Sequence, residues 1–226
     1  MKNSILSIIF ISFSSILLGQ VYEIGVSLGG TNYVGDIGST KYINPNQIAG
    51  NVFFKYNYNP RIVFRSTLSY LPIKGDDAEA DTDLRRNRGL NFTNTITELA
   101  IGMEYNFYEY DISSKEKSWT PYILMELAAF NYSYVKSQDE ETGENILGKR
   151  TSLAIPMGVG FKSKLSGNLA FSIETKFRYT FKDNLDYSTD KMPSLDFGGT
   201  GNDWYMFSGL SLIYTFGRPA CYTQGL

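Results

Sequence analysis

An all-β fold, an eight-stranded antiparallel transmembrane β-barrel of the outer-membrane type, is predicted by three features of this 226-residue sequence. Apolar and polar residues alternate with a period of two in long segments. The segments number eight, an even count. The connections between them alternate short and long. A strand turns successive side chains to opposite faces. A tilted strand needs roughly 9–11 residues to cross a bilayer, more than the usual soluble strand of about 5–6.

The first segment to consider is not a strand. Lys2 precedes an apolar run from Ile5 to Leu18 that is broken only by serines. A charged start, a short apolar middle and a small-residue end at Gly19 describe a cleaved secretory signal peptide over residues 1–20. The run falls short of the roughly 20 apolar residues of a spanning helix.

The barrel itself is expected over residues 21–216. Its segments are Tyr22 to Asn32, Ile48 to Tyr58, Arg61 to Leu71, Thr95 to Phe107, Pro121 to Tyr132, Ser152 to Leu165, Leu169 to Phe181 and Asp203 to Phe216. The seventh is the clearest. Leu169, Phe171, Ile173, Phe177, Tyr179 and Phe181 share one face, and Ser172, Glu174, Lys176, Arg178 and Thr180 the other. The fifth is ambiguous, because "LMELAAF" blurs inside and outside. Asn59–Pro60 and Ser166 to Asn168 read as turns, and Tyr108 to Thr120 as a medium connection. Tyr33 to Gln47, Pro72 to Asn94, Ser133 to Thr151 and Lys182 to Asn202 read as long loops. Short periplasmic turns and long outer loops are the habit of outer-membrane barrels, so both termini are expected in the periplasm. Tyr22, Tyr56, Tyr58, Tyr70, Tyr105, Phe107, Tyr122, Trp204, Tyr214 and Phe216 supply candidate interfacial girdles against outer-membrane lipid.

The polar faces give the expected interior: Lys55, Arg65, Glu98, Glu104, Lys162, Glu174, Lys176 and Arg178, with Glu126 as a further candidate. Eight strands enclose a space just wide enough for side chains to fill. Mixed signs in so narrow a space predict a structural ion network. A pore would carry one dominant sign.

Catalysis is not expected. The chain has no histidine, so Ser-His-Asp and Cys-His chemistry and the commonest metal ligand are absent. No cofactor or metal is expected. The acidic run in "KGDDAEADTDLRRNR" lacks the spacing of a calcium loop. A net charge of −2 gives nucleic acid no footprint. The single cysteine, Cys221, excludes an internal disulfide. It lies on a short tail, residues 217–226, with Arg218 and Tyr222 as the other candidate partner-binding side chains. Either a covalent contact or a free thiol fits a lone cysteine there.

"YEIGVSLGGTNYVGDI" (Tyr22 to Ile37) and "DWYMFSGLSLIYTFGRPACY" (Asp203 to Tyr222) resemble the PorG-like family, outer-membrane barrel components of the type IX secretion system of Bacteroidota. The resemblance implies a non-enzymatic role. Such a barrel anchors or positions the periplasmic ring built from PorK- and PorN-type proteins, in an apparatus that also serves gliding motility. The tail with Cys221 would meet that ring, and no small-molecule substrate is implied. The alternative class is a small outer-membrane porin or ligand channel.

Overall fold

The computed structural model describes residues 21–112, 118–139, 142–188, 195 and 201–217. The signal peptide expected over residues 1–20, and Arg218, Cys221 and Tyr222, lie outside the described residues. Eight strands run in chain order: β1 Val21–Val34, β2 Gln47–Asn57, β3 Ile62–Asp76, β4 Asn91–Asn106, β5 Trp119–Gln138, β6 Asn145–Ser166, β7 Leu169–Thr180 and β8 Trp204–Gly217. Each pairs antiparallel with its neighbour. β1 also pairs with β8, from Val21↔Gly217 to Val34↔Trp204, which closes the ring.

Alternation sorts the side chains. Val26, Leu28, Ile48, Ile101, Met125, Leu210 and Leu212 stand exposed on the outer wall. Glu23, Asn51, Lys55, Arg65, Glu98 and Glu174 are buried inside. Apolar outside and charged inside inverts the soluble arrangement and suits a wall bathed in hydrocarbon. Aromatic residues form a band at the end of the barrel where the described chain begins and finishes, here the terminal end. Tyr22 lies 5.5 Å from Phe54 and 5.8 Å from Phe216, ring centre to ring centre. Trp119 lies 5.7 Å from Phe161 on another side of the ring. At the opposite, loop end, Trp204 packs 4.9 Å from Tyr179. Tyr122 does not belong to a girdle. It points inward, 1% exposed, because its even-numbered position in β5 shares the face of Leu124 and Glu126.

Five elements depart from the sequence reading: β3, a 3-10 turn, a short helix, β5 and β6. β3 continues to Asp76, and a 3-10 turn (Asp77–Glu79) and a short helix α1 (Asp83–Arg88) follow. Gly89 ends α1 in the left-handed conformation, with φ 69°. Most of the long loop expected between the fifth and sixth strands is instead strand, and the hairpin tip lies between Gln138 and Asn145. Ile146 and Leu147 are adjacent in this extension and stand exposed on opposite faces, so no alternation betrays it.

Candidate functional site: a sealed interior

The interior is stratified. Near the terminal end, Glu104 accepts from Lys55 Nζ at 2.7 Å and from Lys162 Nζ. At mid-height, Arg65 reaches Glu174 at 2.5 Å, and Tyr122 donates its hydroxyl to the same carboxylate at 2.7 Å. Glu126 accepts from Lys176 at 2.8 Å and from Thr67 at 2.7 Å. Higher still, Glu98 takes Arg178 Nε at 3.1 Å and the Tyr205 hydroxyl at 2.7 Å. All eight interior residues expected from the sequence therefore meet in one network. The structure adds Glu23 and places Glu126 inside. Glu23 was legible too, since Tyr22, Ile24 and Val26 alternate around it.

Carboxylates Glu23, Glu98, Glu104, Glu126 and Glu174 face an equal number of cations, Lys55, Arg65, Lys162, Lys176 and Arg178. Buried charges persist when paired and hydrogen-bonded. Glu23 is the weakest member, held by Lys55 Nζ at 3.9 Å with no hydrogen bond. The Phe53 ring fills space between cations, 4.2 Å from the Arg65 guanidinium and 5.0 Å from Lys55 Nζ.

Above Glu98 the interior turns apolar. Leu71, Ile73, Ile96, Phe130 and Phe207 are fully buried there. Sequence alternation missed this layer. Beside Ile96 the outward positions are the exposed Thr95 and Thr97, so polar and apolar residues trade sides in this layer.

Both mouths are covered. At the terminal end the connection after β4 folds under the barrel. Tyr110 N donates to Pro60 O at 3.1 Å, and Lys164 Nζ holds Ile112 O at 2.9 Å. The Tyr110 ring sits 4.8 Å from Lys162 Nζ. Tyr110 is 2% and Ile112 7% exposed. At the loop end Leu185 drops into the apolar layer. Its N–H donates to Asp203 Oδ2 and its carbonyl accepts from Asn94 Nδ2, both at 2.8 Å. Asp77 organises the neighbouring loops, accepting from Arg88 Nε at 2.8 Å, Gly38 N at 2.9 Å and Leu90 N at 3.1 Å. Burial raises the Asp77 carboxyl, but Arg88 and the two backbone donors outweigh it and hold the pKa below the usual carboxylate range.

The acidic run is consumed in such pairs. Asp81 meets Lys41 at 3.6 Å and Asp83 meets Arg86 at 2.6 Å. Among the described residues no cluster of three or more metal-ligating side chains could hold a metal ion. Among the described residues the interior charged side chains are paired with one another and buried from solvent.

Comparison with solved structures returns outer-membrane barrels. Neisserial surface protein A is similar with a TM-score of 0.51 at 10% identity, covering 86% of this chain and 97% of that one. A major outer membrane protein from Thermus thermophilus has a TM-score of 0.51 at 13% identity, covering 87% and 99%. These likenesses establish the fold, an eight-stranded barrel of the outer-membrane type. No curated protein matches the sequence. A family model described as a domain of unknown function, DUF6089, matches residues 2–225, and the chain belongs to that family.

Proposed function

We propose that this protein is a non-enzymatic barrel of the outer membrane that anchors or positions a periplasmic PorK/PorN-type ring in type IX secretion. The observation that carries the reading is the sealed interior. A barrel filled by a neutral ion network and covered at both mouths does its work on its outside. The resemblance of Tyr22 to Ile37 and Asp203 to Tyr222 to PorG-like proteins supplies the system. In this reading the terminal end faces the periplasm, and the tail beyond Gly217 reaches the ring. Arg218, Cys221 and Tyr222 make the contact, with Cys221 free to form an intermolecular disulfide.

The test is a mild-detergent pull-down of tagged protein from native outer membranes, with mass spectrometry of the co-purifying chains. Recovery of a ring lipoprotein and its partner is expected. A reductant-sensitive adduct that disappears in Cys221→Ser assigns the covalent contact. A barrel recovered alone, with and without reductant, overturns the ring role.

A further inference from the structure

Beyond the rim at the loop end, β5 and β6 continue as a two-stranded ribbon. β5 parts from β4 after the pair Thr97↔Asn131, and β6 parts from β7 at Ala154↔Thr180. The two strands stay paired with each other out to Gln138↔Asn145. A ribbon has two edges, and they are treated differently. Asn94 covers the β5 edge: its Nδ2 donates to Ser133 O at 2.8 Å, and Ser133 N donates to its Oδ1 at 3.2 Å. The β6 edge from Asn145 to Leu153 pairs with no other strand among the described residues.

Which backbone groups face outward follows from two hydrogen bonds. Asp139 N donates to Glu144 O, and Lys164 N donates to Ser118 O, each at 2.9 Å. Even-numbered residues of β6 therefore face β5. Alternation turns the N–H and C=O groups of Asn145, Leu147, Lys149, Thr151 and Leu153 to the open edge. The single register shift in this stretch falls between Val135 and Ser137 on β5, so the phase of β6 is unbroken.

The edge has a chemical character. From Asn145 to Leu153 it carries Lys149 and Arg150 and no acid. Leu147 and Leu153 stand 51% and 53% exposed on the face they share with Lys149. Arg150 lies on the other face, over the Tyr134 ring at 4.3 Å. Lysine on an edge repels a second copy of the same edge. It attracts an extended segment that brings carboxylates opposite.

We propose that the open β6 edge is a docking site for an acidic, extended segment of another protein, which adds to the ribbon as a further antiparallel strand. Backbone hydrogen bonds hold the segment. An acidic residue opposite Lys149, with an apolar one opposite Leu147 or Leu153, selects it. The inference is independent of the ring reading.

The probe is the end-capped peptide Val-Ser-Thr-Glu-Glu-Ser-Val, which sets its glutamates opposite Arg150 and Lys149. Its binding to the detergent-purified full-length barrel is followed by fluorescence anisotropy. Thr151→Pro removes one outward N–H and no backbone bond to β5, losing there only the exposed contact from Asn131 Nδ2 to the Thr151 hydroxyl at 3.2 Å, so the barrel survives, as heat-modifiable gel migration checks. Binding is expected to weaken about tenfold in Thr151→Pro. Lys149→Glu is expected to transfer preference to the peptide with lysines in place of its glutamates. The proposal is overturned if the peptide fails to bind, or binds Thr151→Pro equally well. Slow amide exchange at Leu147, Lys149 and Thr151 in the isolated protein overturns it in favour of the chain's own residues. Self-association lost in Thr151→Pro overturns it in favour of a second copy.

Discussion

Asp203 and Asp77 are carboxylates at the same mouth, driven in opposite directions. Asp77 collects a guanidinium and two backbone donors. Asp203 takes the Tyr33 hydroxyl and the Leu185 N–H but faces Asp186 across the plug. Burial first, and Asp186 second, push the Asp203 pKa up to about 8. Asp36 is raised to about 6 by burial, then by Asp186 and Asp183, with Arg85 and Arg88 opposing. The ordinary aspartate value is near 4. Between that value and about 8 the folded mouth binds protons that the opened one releases. This contribution to stability is fully present below about pH 4 and is lost as pH rises through the Asp203 value. Exchange of the Leu185 amide, corrected for intrinsic base catalysis, is therefore expected to show weaker protection at pH 9 than at pH 6. Asp203→Asn should flatten that dependence, and equal protection at both pH values would refute the assignment.

Strands pack here by leaving room for one another. Gly102 in β4 lies opposite Glu126 of β5. A Cβ placed there would stand 2.1 Å from the Met125 carbonyl oxygen and 2.8 Å from Glu126 Cγ. Glu126 cannot yield freely, since Lys176 and Thr67 hold both its oxygens. Gly102→Ala should cost about 1–3 kcal/mol through overpacking, measured as a lower urea midpoint. Gly201→Ala, with nothing within 4 Å, is the matched control and should leave the midpoint unchanged.

The same strands show what sequence can carry. β7 was legible because large apolar and charged residues alternate without a break from Leu169. The register of β5 was not, because Ala128 points in and Ala129 out, and alanine is at home on either side. Structure assigns it through Leu124, Glu126 and Phe130 inside against Met125 and Leu127 outside. The ribbon beyond Asn131 was missed for a related reason. Tyr134 and Val135 pack inward while the adjacent Ile146 and Leu147 stand exposed, so apolar residues fall on both faces and mark neither. Of the candidate site, the charged layer was readable from alternation. Its apolar cap and the tucked Tyr110 were not, since both depend on connections whose path no local pattern specifies.

Taken whole, the molecule is a filled cylinder. Charge cancels inside it, Tyr110 and Ile112 cover one end, and Leu185 covers the other. Purified protein in a planar bilayer is expected to give no persistent conductance above that of the bare membrane. A steady, ion-selective current would instead restore the channel alternative.

The pairing of β1 with β8 bears on how such a chain is made. β1, the first of the eight strands in chain order, finds its second partner only in Trp204–Gly217, the last of them. A chain cut short before Trp204 would bring open edges at β1 and β7 into hydrocarbon, where unpaired backbone groups each cost several kcal/mol. Insertion thus tests completeness: a prematurely terminated copy has no stable place in the bilayer and is left to the proteases outside it.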